Sequence, residues 1–192
     1  MSHPLPKHKK YTYADYLTWP LEERWELIDG VPHNMSPAPS RRHQEILVEM
    51  LRQFSNYLLD KSCRVYSAPF DVRLPQSNET DETATNVVQP DIVVVCDKSK
   101  LDDKGCTGAP DLIVEIICPG SAFKDLRDKF RLYESSGVKE YWIVHPNDNT
   151  VLVFKLGSDG HYGKPGMYSE QDEIEVGVLE DLTISLKTVF EE

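Results

Sequence analysis

Two strongly apolar runs, Ile92–Cys96 and Leu112–Cys118, constrain the fold of this chain more than any other feature. Each run begins directly after a Pro-Asp dipeptide, and apolar side chains would occupy both faces of the strand that it forms. A strand that is apolar on both faces needs cover on both faces. The sequence therefore predicts a buried central sheet with other elements packed on either side.

The patterns around these runs predict the remaining elements. They are a helix near Tyr13–Leu17 capped by Thr12, a hairpin turning at Asp29-Gly30, a helix over Gln44–Asp60, a strand over Val65–Leu74, a helix from its cap Ser121 to about Ser136, a hairpin of Tyr141–His145 with Val151–Leu156, and short strands within Ile174–Val189. This order predicts an α/β or α+β protein with a mixed sheet flanked by helices. A length of 192 residues suits one domain over 1–192, with residues 1–10 expected to be flexible.

The composition limits the partners of the chain. A net charge of −11 excludes broad, non-specific attraction to nucleic acids, so such a function needs a local basic patch or bound cations. The candidates for a basic patch are Lys7–Lys10, Arg41-Arg42-His43, and Lys124 to Arg131. No apolar stretch is long enough to cross a membrane, and Met1–Lys10 lacks the apolar segment of a secretory signal, which predicts a cytoplasmic protein.

The four cysteines are widely spaced and form no C-x₂-C pair. This spacing predicts neither a zinc site nor a disulfide. Cys96 and Cys118 each close an apolar run, where cysteine usually acts as a small buried hydrophobe.

Glu115 is the most informative position, because it interrupts a segment that is otherwise suited only to a core. A buried carboxylate must be protonated, paired with a cation or bound to a metal to offset its desolvation. One interpretation is a metal or catalytic role. The alternative is a buried ion pair with an arginine or lysine.

Asp91 immediately precedes the first apolar run, and by itself it indicates no more than a turn residue at the edge of a strand. Asp111 has the same Pro-Asp context, which shows how unspecific the dipeptide is. Asp91 becomes a candidate metal ligand only together with Glu115. Two neighbouring strands that carry one carboxylate each can form the oxygen-rich site that Mg²⁺ prefers.

Asp125, Lys129 and Tyr133 follow one another at intervals of four and form one ridge of a predicted helix. An acid four residues before a lysine is also an ordinary helix-stabilising pair, worth about 0.3–0.5 kcal/mol. The functional interpretation places Lys129 over the carboxylates, near a phosphate or an attacking water. Glu26 on the first hairpin and His43 before a helix are weaker candidates, since solvent-facing or capping roles explain both.

An ordered series of motifs resembles the bacterial putative restriction-endonuclease family. The series is Glu26-Leu27-Ile28-Asp29-Gly30, Ser36-Pro37, His43-Gln44, Gln89-Pro90-Asp91-Ile92, Gly108-Ala109-Pro110-Asp111-Leu112 with Glu115, then Asp125, Lys129, Tyr133 and Gly137 to Trp142. It covers roughly Tyr11 to Leu156. Each motif alone is weak, whereas the ordered series is fairly specific.

The resemblance implies the restriction-endonuclease-like fold of the PD-(D/E)XK nucleases, in which helices flank a central mixed sheet. It implies that Asp91 and Glu115 bind Mg²⁺ or Mn²⁺, that Lys129 and the accessory acid Glu26 complete the catalytic set, and that DNA is the substrate. We place His43 and Asp125 on the substrate side, with Asp125 also holding Lys129. Cutting both strands of a duplex favours a homodimer.

Two positions depart from the pattern of these nucleases. The usual Glu-x-Lys would place lysine where this chain has Ile117, and members of this family take the lysine from the next helix, which matches Lys129. Cys118-Pro119 stands where Ser-Pro is frequent. The acidic charge and the absent Glu-x-Lys also support an alternative, a nuclease-like domain that binds nucleic acid or protein without cutting.

Overall fold

The computed structural model describes residues 9–20, 23–35, 38–117 and 123–191, with side chains throughout except those of 123–125. The helices are α1 (Tyr13–Tyr16), α2 (Arg41–Tyr57), α3 (Phe123–Ser136) and α4 (Leu186–Val189), and a single 3₁₀ turn lies at Lys98–Lys100. The strands are β1 (Trp25–Ile28), β2 (Val31–Asn34), β3 (Arg64–Ser67), β4 (Asp71–Arg73), β5 (Val87–Val88), β6 (Ile92–Val95), β7 (Leu101–Asp102), β8 (Gly105–Thr107), β9 (Leu112–Ile116), β10 (Glu140–His145), β11 (Thr150–Lys155), β12 (Gly166–Ser169), β13 (Glu173–Glu175) and β14 (Thr183–Ser185).

The central sheet has six strands in the order β12-β11-β10-β9-β6-β3. Strands β9 and β10 are parallel and are joined through α3, whereas the other neighbouring strands are antiparallel. The two apolar runs form β6 and β9, which lie side by side inside this sheet. The predicted mixed α/β class with a central sheet is confirmed.

Both faces of the central sheet are covered, as the apolar runs require. On one face, Ile92 and Val114 pack in a cluster with α2, α4 and the β13–β14 hairpin. On the other face, Val93 and Ile113 pack in a cluster with Tyr133 of α3 and with strands of a second sheet. Neighbouring residues of each run thus enter different cores, because side chains alternate along a strand.

The second sheet has the order β2-β1-β5-β4-β8-β7 and was not resolved from the central sheet by the sequence patterns. The prediction of a single strand over Val65–Leu74 is wrong, because the strand is interrupted at Ala68-Pro69 and forms two strands, β3 and β4. Proline has no N–H for a strand ladder, so a strand ends there readily. As a result β3 joins the central sheet while β4 joins the second sheet.

Local signals set the element boundaries. Thr12 and Asp15 form a capping box on α1, and Asp29 and Gly30 have φ values of 52° and 74° in the hairpin turn. Ser40 accepts the backbone N–H of His43 and starts α2 three residues before the predicted start at Gln44. The predicted cap Ser121 of α3 lies outside the described residues.

A disulfide joins Cys63 to Cys96, which corrects the expectation that the cysteines stay unpaired. Arg64 pairs with Val95 in the antiparallel β3–β6 ladder, so the next residues outward, Cys63 and Cys96, lie directly opposite each other. Their Cα atoms are 3.9 Å apart. The register of the β3–β6 ladder brings the two cysteines together, and their spacing in the sequence does not indicate this pairing.

Among the described residues, no helix is both long and apolar enough to cross a lipid bilayer.

Candidate active site

Asp91 and Glu115 lie directly opposite each other across the β6–β9 ladder. Ile92 pairs with Val114 in this antiparallel register, so the next pair joins position 91 to position 115. Opposed residues of an antiparallel pair project to the same face. The face is the one covered by α3, and the Oδ2 atom of Asp91 accepts the backbone N–H of Ile116 at 2.7 Å.

Glu115 is held by two side chains of α3. Its Oε1 atom accepts a hydrogen bond from the Nζ atom of Lys129 at 2.9 Å and another from the Tyr133 hydroxyl at 2.7 Å. Lys129 and Tyr133 are one helical turn apart, so both reach the same carboxylate from one ridge of α3. Two of the three residues of the predicted ridge, Lys129 and Tyr133, therefore face the carboxylate of Glu115.

Lys129 also binds Glu26, a residue of the second sheet. Its Nζ atom lies 2.9 Å from Glu26 Oε1, and the side chains of Lys129 and Glu26 are only 10% and 8% exposed. Glu26 Oε1 accepts the backbone N–H of Gln89 at 2.8 Å as well. One buried ammonium thus links the carboxylates of β1 and β9.

His43 approaches the same place from α2. Its Nε2 atom lies 3.2 Å from Asp91 Oδ1, and the residue is buried. The capping hydrogen bond from its backbone N–H to Ser40 fixes the first turn of α2 and so fixes this ring. The side chain of Asp125 lies outside the described part of the chain, so its predicted contact with Lys129 stays a prediction.

The charges at the site are unbalanced. Burial is the main reason that the pKa of Glu115 is raised to about 7, and Asp91 and Glu26 add to the rise, whereas Lys129 opposes it. Burial alone would lower the pKa of Lys129, but the Glu115 and Glu26 carboxylates outweigh it and raise that pKa above its ordinary value. Two carboxylates, those of Glu26 and Glu115, therefore contact one buried ammonium, and the Asp91 carboxylate adds a further negative charge opposite Glu115.

A divalent cation suits this arrangement in charge and in donor type. Mg²⁺ is usually held by one or two carboxylates, with water and substrate phosphate oxygens as its other ligands. Asp91 and Glu115 supply two carboxylates at opposed positions of neighbouring strands. Within the described residues, no three His, Cys, Asp or Glu side chains converge as a metal-binding group, so protein side chains alone would not fill a coordination shell.

Gln89 and Arg24 belong to this site, although no role was predicted for either residue. Gln89 binds Glu26 through its backbone N–H, and its side-chain Oε1 accepts two hydrogen bonds from the Arg24 guanidinium at 3.1 and 2.9 Å. The position of Gln89 immediately before Pro90-Asp91 was the available signal. It could not be interpreted without knowing that β1 lies beside this segment.

A groove of about 940 Å³ opens next to the site. Ile28 and His33 of the first hairpin line one wall, and Asp128, Arg131 and Leu132 of α3 line the other. His33 pairs with Glu26 across the β1–β2 ladder, and Asp128 precedes Lys129 in the chain. The lining of the groove thus includes neighbours of Glu26 and Lys129 but neither of these two residues.

Comparison with known proteins gives a consistent assignment. The model of a family described as putative restriction endonuclease matches residues 13–187. An uncharacterized protein from Synechocystis sp. is 25% identical over 164 residues, covering 84% of this chain and 80% of its own length. A crystal structure of a putative nuclease from Anabaena variabilis superposes with a TM-score of 0.73 at 18% identity, over 93% of this chain and 97% of that one. The last comparison shows a shared fold.

Proposed function

The chain belongs to the putative restriction endonuclease family, and we propose that it is a divalent-metal-dependent endonuclease that hydrolyses phosphodiester bonds of DNA. The single observation that carries this proposal is the facing pair of Asp91 and Glu115, with Lys129 bonded to Glu115. These are an acid pair and a lysine brought together from three elements that are separate in the chain.

In the proposed mechanism, Asp91 and Glu115 hold Mg²⁺ or Mn²⁺, with the carbonyl of Ile116 as a further oxygen. A divalent cation held by these residues would supply Lewis-acid polarisation of the scissile phosphate and a lowered pKa for a coordinated water. Tyr133 fixes the Glu115 carboxylate through its hydroxyl, and His43 and the N–H of Ile116 fix the Asp91 carboxylate. These contacts hold both carboxylates in place before substrate arrives.

Lys129 acts in this mechanism as a fixed positive charge. Its raised pKa keeps the ammonium protonated, so it cannot take a proton from water. It orients the phosphate or the nucleophile and stabilises the negative charge that develops on the phosphate oxygens. Glu26 holds this ammonium from the side of the second sheet.

Plasmid nicking tests the proposal. Purified protein is incubated with supercoiled plasmid in Mg²⁺ or Mn²⁺, alongside Asp91→Asn, Glu115→Gln and the matched control Asp111→Asn. Asp111 has the same Pro-Asp context but lies at the other end of β9, where it accepts the backbone N–H of Cys96 and pairs with Lys139. We expect metal-dependent nicking that falls by at least about 100-fold in the two site variants, the order lost when one electrostatic group leaves an active site.

A second readout does not depend on cleavage. Mg²⁺ or Mn²⁺ should raise the melting temperature of the wild type, because a ligand that binds only the folded state stabilises it. The rise should vanish in Glu115→Gln and persist in Asp111→Asn. Two active sites are needed to cut both strands of a duplex, so we further propose that the active form is a homodimer.

The second candidate function is a domain that binds DNA without cutting. It is favoured by the complete engagement of Lys129, whose ammonium bridges two carboxylates rather than standing free for a substrate. Well-folded wild-type protein that binds DNA, shows no metal-dependent stabilisation and nicks no plasmid would support it over the nuclease.

A further inference from the structure

Arg24 lies beside the candidate active site on the same side of the first hairpin as Glu26. Its carbonyl accepts the N–H of Met35 at 3.0 Å, which continues the β1–β2 ladder by one residue pair beyond Trp25 and Asn34. Residues two apart in a strand project to the same face and are about 7 Å apart. Arg24 is exposed, whereas Glu26 is buried.

The side chain of Gln89 fixes the Arg24 guanidinium. The Nε2 atom of Gln89 donates to the Tyr16 hydroxyl at 3.0 Å and to Asp71 Oδ1 at 2.9 Å, and this leaves its Oε1 atom to face Arg24. Oε1 then accepts from Nε and Nη2 of the guanidinium. Because the backbone N–H of Gln89 also binds Glu26, one residue sets the position of both Arg24 and Glu26.

The side-chain partner of Arg24 is neutral, as the partners of Arg42 and Arg64 are, and this separates these three arginines from those paired with acids. Those with carboxylate partners are Arg41, Arg52, Arg73 and Arg127. Within the described ranges no carboxylate lies within 4.0 Å of the Arg24 guanidinium, so no acid contacts it directly, although its charge acts electrostatically on Asp71, to which Gln89 also donates. Of its five N–H donors, Gln89 uses two.

We propose that Arg24 binds a backbone phosphate of the DNA strand, next to the phosphate at the Asp91–Glu115 site. The proposal rests on the proposed function for the identity of the substrate. A guanidinium matches phosphate oxygens through paired N–H donors. Its offset from Glu26 is of the order of the separation between neighbouring phosphates of one strand. In a chain of net charge −11, a guanidinium that Gln89 holds in place supplies a local attraction for phosphate that the overall charge does not.

The salt dependence of DNA binding tests this assignment without cleavage. Fluorescence anisotropy of a short labelled duplex in EDTA is measured over a series of KCl concentrations for wild type, Arg24→Gln and Arg24→Lys. Each phosphate contact contributes about 0.9 to the slope of log affinity against log salt, so Arg24→Gln should make the slope shallower by about that amount. The loss should be equal for unrelated DNA sequences, since phosphate contacts carry no sequence information. Arg24→Lys should keep the slope and lose only part of the affinity.

Arg52→Gln is the matched control, because Arg52 is exposed, pairs with Glu49 and lies on α2, which packs against the opposite face of the central sheet. An unchanged slope in Arg24→Gln, an equal change in Arg52→Gln, or no DNA binding by wild type would each overturn the proposal. Plasmid nicking by wild type separates the two ideas. Nicking with an unaltered Arg24→Gln slope removes only the role of Arg24, whereas an altered slope without nicking removes only the nuclease.

Discussion

Lys129 is the residue on which the candidate site depends most for its stability. Its ammonium lies 2.9 Å from both Glu26 and Glu115, and all three side chains are largely buried. Removing one partner of a buried ion pair leaves an uncompensated buried charge. Here the loss of a single ammonium would leave two such charges.

We therefore expect Lys129→Met to lower the free energy of unfolding by about 3–5 kcal/mol at pH 8, the usual cost of breaking a buried pair. Chemical denaturation in EDTA measures this. The control is Arg131→Met on the exposed side of the same helix, where a change within about 0.5 kcal/mol is expected. Adding Glu115→Gln to Lys129→Met should restore part of the stability. A Lys129→Met cost equal to that of Arg131→Met would show that the ammonium is solvated.

Glu115 gives the site a dependence on pH that can be isolated. Its pKa is raised to about 7, chiefly by burial, while the ordinary value is 4.5, so the folded state binds a proton that the unfolded state has released between these pH values. Stability from this group is therefore fully present below about pH 4.5 and is lost as pH rises through 7. The group behaves oppositely to a carboxylate whose pKa is lowered by an ion pair.

The expected result is that the stability of wild type relative to Glu115→Gln falls between pH 5 and pH 8 in metal-free buffer. Denaturation at a series of pH values measures the difference. Glu45→Gln on the surface of α2 is the comparison variant and is measured over the same pH series. A flat difference for Glu115→Gln would mean that Glu115 is already ionised at pH 5.

Among the elements, those with local signals were predictable and those that depend on distant pairing were not. Local signals include the Asp29-Gly30 turn, the capping box of α1 and the glycine after α3. Each depends only on a few neighbouring residues, so a short stretch of sequence is enough to predict it. The short helix α4 was predicted as strand, because a single turn after β14 shows too few residues for its period to emerge.

The same distinction explains what could be predicted of the site. Glu115 could be singled out because it interrupts an apolar strand, where a carboxylate costs free energy unless it has a function or a partner, whereas Asp91 precedes β6 and was selected only together with Glu115. The ion pair between Lys129 and Glu26 joins α3 to β1. The hydrogen bonds between Gln89 and Arg24 join two loops of the second sheet. Such contacts follow from how the elements pack, which no short segment encodes.

The Cys63–Cys96 disulfide links two elements, because it joins the segment after α2 to the end of β6. It closes a loop with a sequence separation of 33 residues, for which loss of chain entropy in the unfolded state predicts a stabilisation of about 3–4 kcal/mol. Dithiothreitol should lower the stability of wild type by that order and leave Cys63→Ala unaffected, as measured by chemical denaturation. An equal effect of dithiothreitol on both proteins would assign the change to another cause.

Reduction should spare the site, because Cys96 and Asp91 flank opposite ends of β6. Metal-dependent stabilisation of the reduced protein should therefore remain, and its loss would show that the β3–β6 link positions Asp91.

For the whole molecule, the net charge of −11 would oppose the approach of DNA, whereas the proposed phosphate contacts would attract it. Exposed charges act over about 10 Å at 0.1 M salt and about 30 Å at 0.01 M, so the long-range repulsion weakens first as salt is added. Contacts at Arg24 are short-ranged and are lost only at higher salt. Repulsion by the net charge and attraction by the Arg24 contact thus change DNA binding in opposite directions and act over different distances.

We therefore expect the association rate with a DNA duplex to rise with KCl at low ionic strength and to fall again above roughly 0.1 M, where screening reaches the local contacts. Stopped-flow anisotropy at a fixed Mg²⁺ concentration measures the rate. Replacing Glu173 and Glu175 by glutamine removes two exposed acids from β13, whose hairpin packs on the face of the central sheet away from the site, and should flatten the initial rise. A rate that falls steadily from the lowest salt would mean that a basic surface dominates the approach in spite of the net charge, because attraction alone gives a monotonic decline.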